Sequence, residues 1–305
     1  MKAETAPPTV TVPDHIEHRV WTSDGRTVAA AEWGDPNGVP LFALHGTPGG
    51  RISFWQDPTI YARHGLRRIT VDRPGYGDST RQPGRIVADV VLDIVAIADQ
   101  LGISSFAVTG GSGGGPHALA CAALLPDRVL RCLADVSIAP FGAEGLDWLA
   151  GQTKGNVDEF EAAQRGEADI RRLTEAEWAG IRVRLDEGDT NLLGNNYDMA
   201  DADRAQMLKH AARMAINLRA GLAGGVDGWV DDDIAFTKPW GFDVADIRGT
   251  VMVSYGRVDT LVPAAHGDWL AAHIPGATTR VLEQAGHMGD DETVELDMAW
   301  LAGKG

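Results

Sequence analysis

Apolar positions in the first part of the chain follow two alternating periods. Val39-Pro-Leu-Phe-Ala-Leu-His45 is a continuous apolar run, as a strand buried on both faces requires. Arg68–Asp72, Phe106–Thr109 and Val129–Ala134 are further strand candidates. Between them Val87, Val90, Val91, Ile94, Val95, Ala98 and Leu101 recur at helical spacing, and Gly102 stands where a glycine ends a helix. Strand and helix in alternation predict a mostly parallel sheet with helices on both faces. The opening stretch MKAETAPPTVTVPDHIEH has no period and is rich in proline, which predicts a mobile arm leading into the first strand.

From Pro140 to about Ala245 the period is helical, with no convincing buried strand. Thr174-x-x-Glu177 reads as a capping box ahead of Trp178, Ile181 and Leu185 on one face. Met207, Ala211, Met214 and Leu218 form a second apolar stripe, closed by the glycines of Gly221–Gly225. Thr250–Ser254 and Thr279–Leu282 restore the strand pattern, and Val294, Met298 and Leu301 predict a last helix. The expected division is therefore an α/β core in two parts, residues 1–139 and 246–305, interrupted by a helical cap over 140–245.

Length and composition narrow the function classes. The 305 residues, 44% hydrophobic and 23% charged, suit one large domain with an insertion. No apolar run approaches bilayer length and no signal-peptide stretch opens the chain, so a cytoplasmic protein without a membrane partner is expected. The net charge of −16 argues against nucleic acid or an anionic membrane surface. Residues 140–245 hold 20 acidic and 11 basic side chains, a net of −9, read mainly as solvated surface; a preference for cationic substrates is the sharper alternative. Cys121 and Cys132 lie in apolar surroundings and read as buried reduced thiols. No Cys/His cluster has metal-ligand spacing, so no metal site is expected.

The strongest chemical signal is Gly110-Gly-Ser112-Gly-Gly114, placed between a strand and a helical segment. It fits G-x-S-x-G in the strand–turn–helix context that makes the serine an exposed nucleophile. A turn this sharp excludes bulky neighbours, and the helix start offers backbone N–H groups to a developing anion. A plain glycine-rich turn or a phosphate loop is the competing reading, but no lysine follows as in a Walker A loop. His45-Gly-Thr-Pro48 follows a strand where the second oxyanion donor belongs. The expected oxyanion hole is the backbone N–H of Thr47 with that of Gly113, and the His45 ring reads as structural. Gly256-Arg-Val-Asp259 and Ala285-Gly-His287 follow the last two strands, giving the chain order Ser112, Asp259, His287 of a hydrolase triad. Asp135, at the end of Val129–Ala134, is the competing acid.

The segments HGTPGG, DRPGYGDS, GGSGGG, GRVDTLVP and AGHM, spread from His45 to Met288, resemble the α/β-hydrolase superfamily, in its capped group of esterases and proline iminopeptidases. The resemblance implies a structural role for Asp72–Ser79, leaving Asp72 and Arg73 outside the catalytic set. It also sets Ser112 apart from relatives whose elbow carries Asp and which open epoxides or haloalkanes. Gly113 departs from the bulky aromatic typical of proline iminopeptidases. The function expected is ester hydrolysis on a small-molecule acyl substrate through an acyl-enzyme, without a cofactor. An aminopeptidase binding a free amine through cap carboxylates, a non-hydrolytic enzyme or a receptor on the same scaffold remain alternatives. The sequence is silent on oligomeric state.

Overall fold

The computed structural model describes residues 10–194 and 196–304. The expected mobile arm lies outside the described residues as far as Thr9. The described residues build one eight-stranded sheet. Strands β1 (Ile16–Trp21) and β2 (Thr27–Gly34) form an antiparallel hairpin, and β2 also runs antiparallel to β4 (Leu66–Val71). From there the sheet is parallel: β3 (Val39–Leu44), β5 (Phe106–Gly111), β6 (Val129–Asp135), β7 (Val251–Gly256) and β8 (Thr278–Leu282). The order across it is β1-β2-β4-β3-β5-β6-β7-β8.

Period-two alternation splits the core between the two faces. Phe42 and Val108 point to one side, where α2 (Val90–Gln100), α3 (Gly115–Leu124) and α8 (Ala264–His273) cover them with Ile94, Ile97, Leu119 and Leu270. Their neighbours Leu41 and Ala107 point to the other, under α1 (Thr59–His64) and α9 (Asp291–Leu301) with Ile60, Trp300 and Leu301. Phe42 meets Phe106 edge-to-face at 4.8 Å, and burying each ring is worth roughly 2–3 kcal/mol.

Register levels the carboxyl ends of the parallel strands. Leu44 lies opposite Gly110, Gly111 opposite Asp135, and Asp135 opposite Ser254. The loops leaving β3, β5, β6 and β7 therefore meet along one rim, where open α/β sheets place their sites.

Between β6 and β7 the chain carries α4 (Lys154–Arg165), α5 (Glu167–Glu187), α6 (Asp201–Gly221) and α7 (Asp227–Phe236). They share a separate apolar cluster that includes Ile170, Trp178, Ile181, Met207, Leu218 and Trp229. The capping box expected at Thr174 is corrected: α5 starts at Glu167, and Thr174 sits inside it. Its hydroxyl donates to the carbonyls of Ile170 and Arg171 at 3.0 and 3.2 Å, the way a mid-helix threonine satisfies itself. No helix among the described residues is long and apolar enough to cross a membrane. Cys121 and Cys132 are buried free thiols, and burial pushes the Cys121 thiol up to about 12.

Candidate active site

Ser112 follows the last residue of β5, Gly111, and opens the turn into α3. Its φ of +54° is a left-handed value shared, among the described non-glycine residues, only with Val136. The glycines around it follow from close approach: a side chain on Gly114 would strike the carbonyls of Leu44 and His45, and one on Gly113 would strike Thr47. The turn is thereby pressed against the loop leaving β3, which brings Thr47 and Gly113 side by side.

His287 and Asp259 arrive from the loops after β8 and β7, which are tied by backbone bonds from Arg257 to Leu282 and from Val258 to Ala285, at 3.0 and 3.1 Å. The His287 ring is 12% exposed, and its Nδ1 lies 2.8 Å from Asp259 Oδ2. Asp259 is buried, and its Oδ1 accepts the N–H groups of Leu261 and Val262 at 2.8 and 2.9 Å. That second grip fixes the carboxylate plane, so the ring has a fixed orientation too. Burial works to lower the His287 pKa, but the charge and hydrogen bond of Asp259, with the nearby charges of Asp203 and Asp135, raise it above the ordinary imidazole value. Asp135, at the carboxyl end of β6, contributes charge to the ring, whereas Asp259 makes the hydrogen bond.

Ser112, His287, Thr47 and Gly113 line one cavity of about 240 Å³. The inserted helices supply its opposite wall, including Phe160, Met207, Met214, Leu218, Trp229 and Phe236. Two carboxyl groups in this wall, Glu159 and Asp233, are also buried. Burial and the neighbouring carboxylates push Glu159 up to about 7 and Asp233 well above its usual range. Trp229 donates to Glu159, and the Tyr197 hydroxyl donates mainly to Glu177 at 2.7 Å with Glu159 at 3.4 Å, while Asp233 Oδ2 has no hydrogen-bond partner among the described residues.

The imidazole of His45 is buried away from this chemistry. Its Nδ1 meets the Gly46 carbonyl at 2.7 Å, its Nε2 accepts the Arg73 N–H at 3.3 Å, and burial holds its pKa well below the ordinary value. Four carboxylates that reach the rim escaped the sequence reading: Glu159, Asp203, Asp232 and Asp233. The acidic side chains of 140–245 read mainly as solvated surface, yet Asp231, Asp232 and Asp233 are all buried. At 100° per helical residue they face three ways. Asp231 meets Arg81, Asp232 meets Arg73 and Arg85, and Asp233 meets the cavity. The only sequence signal was arginines without obvious partners in the segment from Arg73 to Arg85.

Fold and rim thus define a mostly parallel α/β scaffold with a serine turn and a His–Asp pair at one cavity. The family described as alpha/beta hydrolase fold matches residues 39–292, and the chain belongs to that family. The chain is 30% identical over 273 residues to the dihydrolipoyllysine-residue acetyltransferase component of the acetoin cleaving system of Cupriavidus necator, covering 88% of this chain and 64% of that protein. It thus spans under two thirds of that relative's length. A proline iminopeptidase of Xanthomonas citri is 35% identical over 107 residues, covering 33% of each chain. Among solved structures, a thermophilic esterase from Thermogutta terrifontis superposes with a TM-score of 0.65 at 17% identity, covering 96% of this chain and 99% of that one.

Proposed function

We propose that the protein is a serine hydrolase that cleaves carboxylic esters of small, largely apolar acyl groups. The observation that carries this reading is the shared cavity: Ser112 opens into it beside a His287 whose Nδ1 is held by buried Asp259. With Nδ1 occupied, Nε2 is the nitrogen free to take the Ser112 proton as the hydroxyl attacks the acyl carbon. The backbone N–H groups of Thr47 and Gly113 receive the oxyanion, each worth on the order of 3 kcal/mol. His287 then protonates the leaving alcohol, and the acyl group stays on Ser112. A water molecule, deprotonated by His287, attacks the acyl-enzyme and releases the acid. The apolar wall of the cavity suits an acyl chain, and no cofactor enters any step.

Glu159 and Asp233 favour a second reading, in which the scissile acyl group carries a cationic amine, as in an aminopeptidase. The two buried carboxyl groups, which line the same cavity as the serine, would release protons to solvent and hold the amine instead. Two measurements separate the readings. Wild type and Ser112→Ala are treated with a fluorophosphonate probe, then assayed on p-nitrophenyl esters of increasing chain length and on aminoacyl anilides. Labelling and turnover are expected in wild type only, with esters preferred. An active Ser112→Ala removes the serine mechanism. Anilide preference that is lost in Glu159→Gln, with ester turnover kept, selects the aminopeptidase.

A further inference from the structure

The cavity wall contributed by the inserted helices reaches beyond the cavity. Two of their carboxylates, Asp203 on α6 and Asp232 on α7, are both 0% exposed, and each grips a loop of the rim. Asp232 accepts the Thr47 hydroxyl at 2.8 Å and the Tyr76 hydroxyl at 2.8 Å, and pairs with Arg73 and with Arg85. Arg73 in turn donates to Thr47 Oγ1 at 2.9 Å and to the carbonyls of His45 and Gly46. The loop that carries the Thr47 N–H is therefore bonded to one buried ion cluster, whose carboxylate, Asp232, belongs to α7.

Asp203 does the corresponding thing on the other side. Its Oδ1 accepts the Met288 N–H at 2.7 Å, immediately after His287. Its carboxylate lies against Gly286, where any side chain would collide with it. Its Oδ2 has no hydrogen-bond partner among the described residues, so its charge is compensated only in part. A buried carboxylate kept in that state costs stability, and a tie between helix and loop needs no charge.

We propose that Asp203 and Asp232 are positioning residues for the reaction, Asp203 acting through His287 and Asp232 through the oxyanion loop at Thr47. This rests on the hydrolase reading. The inserted helices then set the geometry of both halves of the site, the base and the anion donors, in addition to walling the substrate. A closed arrangement of helices and rim is the competent one, because displacing α6 and α7 removes both grips at once.

Asp232→Ala would leave two buried arginines unpaired and risks loss of the fold, so the test uses milder changes. Thr47→Val keeps shape and backbone N–H but removes the hydroxyl through which Asp232 acts. It is expected to lower kcat for a p-nitrophenyl ester about tenfold or more with KM little changed, and Thr47→Ser to restore it. Asp203→Asn keeps an acceptor for Met288 and removes one of the charges around His287, the others being Asp259 and Asp135. The acid limb of kcat/KM is expected to move to lower pH in this variant. A tie that merely fastens the helices moves neither the pH profile nor kcat. Folded Thr47→Val and Asp203→Asn with wild-type kcat and wild-type pH profile overturn the proposal. Wild type that neither labels with fluorophosphonate nor turns over esters brings down the hydrolase reading itself, a different result visible before any variant is compared.

Discussion

At His287 burial and charge pull in opposite directions, and the charges win. Attack needs a neutral ring. Activity should therefore climb with pH through a value above that of a free imidazole, read as the acid limb of kcat/KM. A rate flat from about pH 5 to 9 would remove histidine as the base, provided chemistry limits turnover. The two carboxylates nearby should answer differently to amidation. Asp259→Asn removes the charge hydrogen-bonded to Nδ1, and in serine proteases of like design that change lowers kcat about 10⁴-fold. Asp135→Asn removes a charge without a hydrogen bond to the ring, so a loss below about tenfold is expected. Circular dichroism of both proteins guards the comparison, and a crippled Asp135→Asn beside a near-normal Asp259→Asn would hand the acid role to the neighbouring strand.

Strands β3, β5, β6 and β7 were legible as sequence because burial on both faces leaves apolar runs that no surface element shows. The hairpin β1–β2 was not. Its outer strand leaves Ile16 and Trp21 exposed, Trp21 at 71%, and β2 is built on three alanines, so neither has a strong strand pattern. The turn residues Asp24-Gly25, with Gly25 at φ +84°, were the available clue. The loop positions of Ser112 and His287 at the rim were legible because close packing demands glycine beside them, and that of Asp259 because it follows Gly256 at a strand end. The carboxylates of α6 and α7 were not, since an aspartate on a helix looks the same whether it meets water or a buried arginine. The glycines at the serine turn yield a test at this scale. Gly114→Ala places a methyl group against the backbone of β3, whereas Gly102→Ala meets open space and carries only the strain of its φ of +67°. Gly102→Ala should cost about 1 kcal/mol, and Gly114→Ala clearly more, with loss of probe labelling. Equal melting temperatures for the two would contradict the packing described at the serine turn.

Across the whole molecule the net charge of −16 hides an interior that is itself acidic. Glu159 is pushed from 4.5 up to about 7, so the folded chain binds a proton there that the unfolded chain has released. Stability from this group is complete below about 4.5 and falls as pH rises to about 7, after which it levels off. His287, raised in the folded state, works in the same direction. The buried neutral rings of His45, His117 and His266 oppose this, because the unfolded chain protonates them below about 6.5. The test in thermal unfolding is therefore the part of the pH dependence that Glu159 carries, which should favour pH 5 over pH 8 by on the order of 1–3 kcal/mol. Glu159→Gln should flatten that part of the profile, and an unaltered slope in the variant would place its origin elsewhere.

The backbone of Ser112 has a thermodynamic consequence for evolution and for engineering. A side chain held at φ +54° costs the folded state on the order of 1 kcal/mol that glycine would not incur. Ser112→Gly should thus melt higher than Ser112→Ala, by about 1–2 °C for a chain of this size, although both lack the hydroxyl. Selection for stability alone would drift this position toward glycine, matching the five glycines (Gly110, Gly111 and Gly113 to Gly115) that already flank it. A serine persisting in a run of glycines is held there against the folding preference of its own backbone.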